Sequence, residues 1–222
     1  MRALLDLVFP PRCAGCDAPG TLLCDECRLA VTRIDPAHAC LRCGAPLGGQ
    51  TVCAECRGST FVFSAARCAT TLESPVSRAV VLLKDGGERR YAGVLAELLA
   101  GCAEGWLNAS DVLIPVPASP SAARRRGFDH AADITRELGR CVGLPVQRPL
   151  RATRSADQRT LGRSDRFANR RGAFEVDGPS DLRRAVLVDD VFTTGATFDA
   201  AARALAGAGV SCVRALAVAR SV

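Results

Sequence analysis

Two carboxylates, three hydroxyls and a glycine fall together at Asp189, Asp190, Thr193, Thr194, Gly195 and Thr197. They follow Ala185–Val188, an apolar, β-branched run of the kind that is buried on both faces in a parallel sheet. They precede an Ala-rich stretch whose apolar positions Phe198, Ala201, Ala202 and Leu205 keep a helical period. A strand, a tight turn and a helix start make an anion cradle, because free backbone N–H groups and the helix dipole both favour a phosphate there. Gly195 lets the backbone approach such a ligand, and the threonine hydroxyls can donate to it. Asp189 and Asp190 stand where they can accept from two vicinal sugar hydroxyls or hold Mg2+ through water. A phosphate beside a diol describes a ribose 5-phosphate. No Lys follows the glycine, so this is not a Walker loop, and the spacing is not that of a dinucleotide fingerprint.

A second chemistry lies before residue 60. Eight of the twelve cysteines form four C-x-x-C pairs: Cys13/Cys16, Cys24/Cys27, Cys40/Cys43 and Cys53/Cys56. Each pair turns tightly enough to aim two sulfurs at one ion, and two pairs close a tetrahedral site. Thiolates in that geometry favour Zn2+, with iron as the alternative. Short gaps inside the first two and the last two pairs favour two sequential sites over an interleaved arrangement. Four thiolates leave no open position, so both sites are expected to be structural. A disulfide scaffold is the competing reading, and the lack of a recognisable leader argues against it.

These elements set the organisation. A chain of 222 residues with 48% hydrophobic content suits one sizeable domain and a small one. The expected division is a double zinc ribbon over 1–60 and an α/β domain over 61–222. No apolar run reaches membrane-spanning length, and the apolar opening is broken by Asp6 and closed by Pro10-Pro11, which points to a cytoplasmic protein. The formal charge is +6, and Lys84 is the sole lysine beside 28 arginines. Residues 1–60 balance six Arg against six acids, so the excess lies in the larger part. Thirteen Arg against five acids fall within Pro115–Gly172, and an anionic partner is expected there. Two zinc–thiolate centres at about −2 each would lower the net charge to roughly +2.

Along 61–222 the pattern alternates. Phe61–Leu72 reads as one or two strands holding an inert core Cys68, and Ser74-Pro75 opens a helix through Leu83. Tyr91–Cys102 is a second helix. Val112–Ile114 is a buried strand running into Pro115-Val116-Pro117, a rigid loop at the strand end that faces the crevice in an open α/β sheet. Arg124-Arg125-Arg126 precede a helix capped by Asp129, in whose first turn His130 reads as a surface residue. Arg151–Phe174 is basic, with little apolar period, and suits either a closing lid or a solvated loop. Ala173–Val176, Arg184–Asp190 and Val210–Ala219 complete the strands of a mainly parallel sheet.

VLVDDVFTTGATF resembles the phosphoribosyl pyrophosphate (PRPP) signature of type I phosphoribosyltransferases. With LIPVPASPSAARRRGF, the R…Q..L…R..N…AF pattern and the four knuckles, nearly the whole chain resembles the ComF family of competence-associated proteins. That resemblance implies a type I phosphoribosyltransferase-like fold related to glutamine–PRPP amidotransferases, with no glutaminase domain. It implies that Asp189 and Asp190 contact the ribose hydroxyls and that Thr193, Thr194, Gly195, Ala196 and Thr197 wrap the 5-phosphate. Ile114–Ala118, with Val116 and Pro117, becomes the pyrophosphate loop. Arg154 to Arg170 becomes the flexible loop, in which Arg154 and Arg166 join the two acids as catalytic candidates. Mg2+ accompanies PRPP. The family's link to natural transformation makes single-stranded DNA and the uptake machinery the implied partners, with Arg124, Arg125, Arg126, Arg163 and Arg170 as candidate phosphate contacts. Turnover onto an unknown acceptor, or PRPP sensing without turnover, are the alternatives.

Overall fold

A computed structural model describes residues 10–153, 172–178 and 180–221. Four parallel strands form the central sheet in the order β1 (Ala66–Thr71), β6 (Cys212–Arg220), β5 (Arg184–Phe192) and β2 (Val112–Pro115). Successive side chains leave opposite faces of a strand, and the two cores divide along that alternation. Val186, Val188, Leu216, Val218 and Leu113 face one layer of helices, α3 (Val76–Lys84), α4 (Tyr91–Ala103) and α6 (His130–Val142). Ala185, Leu187, Ala215, Ala217 and Ile114 face the other, where α7 (Ala196–Gly207) supplies Phe198, Ala201 and Leu205. Helices on both faces are the reason these strands tolerate near-continuous apolar runs.

The cysteine segment is divided between the same two layers. Cys13, Ala14, Leu23 and Val31 belong to the core of α3 and α4, whereas Cys40, Cys43 and Cys56 belong to that of α7. Two short helices, α1 (Asp25–Leu29) and α2 (Ala54–Arg57), carry the second knuckle of each cluster. Residues 32–34, between the clusters, run antiparallel along the outer edge of β1. Ile34 N–H donates to Ala69 O at 3.0 Å, and Thr71 N–H donates to Thr32 O at 3.0 Å. At the opposite edge, Leu113 N–H donates to Pro145 O and Leu113 O accepts from Gln147 N–H. Both sheet edges are thus covered. The expected boundary at residue 60 falls between segments that share one core.

Several expected elements shift. β5 includes Asp189 and Asp190 as expected, but runs two residues further, to Phe192. Pro115 stays in register opposite Val188, because β2 needs no proline N–H to receive Val188's neighbour: Val116 N–H donates to Val188 O at 2.9 Å. Phe174–Val176 (β4) does not join the main sheet; it pairs antiparallel with β3 (Leu150–Ala152) in a separate ribbon over α7. Pro120–Arg126 forms a helix, α5, that the basic composition concealed; Ser119 caps it by accepting from Ala122 N–H, with Pro120 in the first turn. Asp129 does cap α6, accepting from Ala132 N–H at 3.2 Å.

Candidate functional site

The site grows from the end of β5. After Phe192 the chain turns through Thr193-Thr194-Gly195 and enters α7 at Ala196. Gly195 has φ +79°, and a Cβ there would stand 2.7 Å from the Phe192 ring and 3.1 Å from that of Phe61. Only glycine fits. Gly195 brings no side chain to the helix start, and Ala196 N–H reaches Thr194 Oγ1 at 3.4 Å, so backbone and hydroxyl groups converge at the end of the helix dipole. Phe192 stacks on Phe198 at 5.2 Å between centroids and meets Phe63 edge-on at 6.1 Å, so the turn rests on an aromatic bed. Asp199 fixes the helix behind it by accepting from Val62 N–H at 2.7 Å and from Arg203 Nε at 2.9 Å.

The acids point into a charged cluster. Asp190 is 3% exposed, with Lys84 Nζ 2.5 Å and His130 Nε2 3.6 Å from its Oδ2. His130 Nε2 also lies 3.9 Å from Asp189 Oδ1, and Asp190 N–H donates to that same oxygen at 2.9 Å. Arg126 Nη1 stands 3.5 Å from His130 Nδ1, which turns the Nε2 edge towards the carboxylates. Burial and the adjacent Asp190 charge push the Asp189 carboxyl up to about 7, against the pull of His130 and Lys84. Burial also opposes the Asp190 charge, but His130 and Lys84 outweigh it and hold that carboxyl below the usual range. Asp190 therefore stays ionised while Asp189 exchanges its proton near neutrality, so the pair can both accept from and donate to a diol.

Two of these residues escape a linear reading. His130, expected at the surface, is 5% exposed because α6 lies against β5. Lys84 ends α3, and nothing local marks it except that it is the sole lysine. Of the expected pyrophosphate loop, Val116 is buried and Pro117 half-buried; both leave the sheet beside Asp189 because Pro115 registers with Val188. Arg124 and Arg125 are exposed on α5, whereas Arg126 turns inward to Asp85 at 3.3 Å and to His130. Arg154, Arg163, Arg166 and Arg170 lie outside the described residues.

The cysteines form two sequential clusters, Cys13/Cys16/Cys24/Cys27 and Cys40/Cys43/Cys53/Cys56. Cys13 and Cys24 sulfurs are 3.6 Å apart, Cys16 and Cys24 3.8 Å, and Cys43 and Cys53 3.7 Å. A tetrahedron of sulfurs about 2.3 Å from zinc has edges of about 3.8 Å, so the spacing fits the metal without rearrangement. Cys24 N–H and Gly15 N–H point at Cys13 Sγ, and Cys53 N–H at Cys40 Sγ, as expected around thiolate ligands. All eight are free cysteines, so the disulfide reading falls. The two clusters fit two zinc sites.

Residues 4–72 match the family model of the double zinc ribbon domain. The chain is 23% identical over 194 residues to competence protein ComFC of Bacillus subtilis, covering 84% of this chain and 79% of that one. It is 28% identical over 221 residues to DNA utilization protein YhgH of Escherichia coli K12, covering 94% and 96%. These similarities support a ComF-family protein. A third relative, competence protein F of Haemophilus influenzae, is 31% identical over 120 residues, about half (52%) of each chain. Among solved structures, hypoxanthine phosphoribosyl transferase of Trypanosoma cruzi overlaps 58% of this chain and 62% of its own at 14% identity, with a TM-score of 0.33. No helix among the described residues is long and apolar enough to cross a membrane.

Proposed function

We propose that this protein binds PRPP and assists the handling of single-stranded DNA during uptake, in the cytoplasm and beside the uptake machinery. The observation that carries the PRPP reading is a carboxylate pair on β5 immediately before a Thr-Thr-Gly turn that opens a twelve-residue helix. Asp189 and Asp190 would take the ribose hydroxyls and the Thr193–Thr197 turn the 5-phosphate, with Val116 and Pro117 beside the pyrophosphate. Lys84 already neutralises Asp190, so Mg2+ fits best as an ion held mainly by ligand oxygens, with Asp189 reaching it through water. When bound, it would neutralise charge on the pyrophosphate. Calorimetry tests the assignment: Asp189→Ala with Asp190→Ala is expected to abolish Mg2+–PRPP binding while the fold survives, and unchanged affinity overturns it.

The DNA reading draws on the printed names of the relatives, which concern competence and DNA utilization, and on the exposed Arg124, Arg125 and Arg148. Labelled single-stranded DNA should bind with a steep salt dependence that Mg2+–PRPP alters. Absence of binding at moderate salt favours the second reading, a phosphoribosyltransferase, whose mark is steady pyrophosphate release in the presence of a nucleobase or amine.

A further inference from the structure

Between the second cysteine cluster and the phosphate turn lies an open cleft of about 800 Å3. Pro46, Leu47 and Ala54 line one side, Thr193, Thr194 and Ser221 the other, and Glu55 and Arg220 meet across it. A smaller lobe of about 280 Å3 continues past the same Glu55–Arg220 pair towards Phe61 and Phe192.

Arg220 is the unusual member. It ends β6 opposite Phe192, and its side chain is 7% exposed. One Nη1 donates to Phe192 O at 3.2 Å and also to Ser221 O, and the guanidinium lies 5.3 Å over the Phe192 ring. Its Nε is buried with no hydrogen-bond partner among the described residues. Its carboxylate neighbour is Glu55, at 3.7 Å, beyond hydrogen-bonding distance, and that side chain is 59% exposed. The thiolates Cys43 and Cys56 of the second cluster line the same lobe and balance part of its charge, but the unpartnered Nε and the exposed, distant Glu55 leave the guanidinium with hydrogen-bonding capacity that an anion can take up. The opening that would admit one is the cleft itself, where threonine and serine hydroxyls stand ready and an apolar wall can carry the rest of a small molecule.

We propose that this cleft is a binding site for a small oxyanion, a carboxylate or phosphate borne on an apolar or planar body. Arg220 is its anchor, and Glu55 is the carboxylate that the ligand displaces. The site is distinct from the Asp189–Asp190 cluster and shares with the phosphate turn only Thr193 and Thr194. It does not depend on PRPP being the ligand there. Its wall is built on Cys53 and the residue after the second cluster's third ligand, so the metal segment is part of a binding surface as well as of the core.

The test rests on opposite signs. Benzoate and phenyl phosphate are titrated calorimetrically into the metal-loaded full chain, and the tighter of the two identifies the preferred oxyanion. Glu55→Gln, an exposed change that removes the competing carboxylate, is expected to tighten binding about two- to fivefold. Arg220→Gln is expected to weaken it at least about tenfold. If Arg220→Gln fails to fold, the gain in Glu55→Gln decides alone. Weaker or unchanged binding in Glu55→Gln, or no heat from either probe with wild type and Glu55→Gln alike, overturns the proposal. The same proteins titrated with Mg2+–PRPP keep the two sites apart: failure of PRPP to bind leaves the benzoate result standing.

Discussion

At Asp189 and Asp190, adjacent carboxylates on one strand titrate far apart because their surroundings differ. Lys84 and His130 converge on Asp190, while Asp189 keeps its burial and its neighbour's charge. The folded protein therefore binds a proton at Asp189 that the unfolded chain, with its ordinary carboxyl, has released. Its contribution to stability is present at low pH and falls as pH rises from roughly 4 to 7. Asp189→Asn should flatten that decline, read as the wild-type minus variant difference in urea midpoints across the range; parallel curves would show that Asp189 titrates normally. Lys84 yields a second expectation. Its Nζ is the sole lysine amine, a quarter exposed at 26% and seated on Asp190, so a ligand bound at the acids should slow its reductive methylation. Mass spectrometry of the Lys84 peptide with and without Mg2+–PRPP reads this directly, and equal rates would place the ligand elsewhere.

At the scale of elements, the turn from β5 into α7 works because a left-handed glycine lies over Phe192 and Phe61. Gly195→Ala should cost about 1–3 kcal/mol of stability, from φ strain and displaced rings, and should weaken phosphate binding; a thermal melt indistinguishable from wild type would refute the contact. This element was legible from sequence because its parts are neighbours: apolar run, acids, hydroxyls, glycine and helix period all fall between Ala185 and Leu205. The knuckles were legible for the same reason, and their sequential pairing follows from short gaps. What stayed hidden depends on distant partners. His130 is buried only because β5 lies beneath α6, and Lys84 meets Asp190 across more than a hundred residues. Glu55 and Arg220 come together across a still longer span of chain. β4 looked like a sheet strand because apolar alternation does not say which strand is the partner. The α5 helix hid behind a run of arginines, although Ser119 and Pro120 were its start signals.

At the scale of the whole molecule, the two clusters are set into opposite layers of one sheet. Cys13 is 0% exposed and Cys40 1%, each packed with large-domain side chains, and Tyr91 Oη donates to Arg12 O at 2.6 Å. Stripping the metal should therefore unfold ribbon and sheet in one cooperative step. Far-ultraviolet circular dichroism during chelation checks this: loss of the ribbon with an unchanged melt of the sheet would restore an independent module. The strap at residues 32–34 adds a consequence beyond folding. It occupies the hydrogen-bonding row of β1 and is held in place at each end by a cluster. Without the ions that row would lie bare, and the apolar strand Ala66–Thr71 would be free to recruit the same strand from another copy. In the cell, metal supply would then decide whether newly made chains remain dispersed or coalesce.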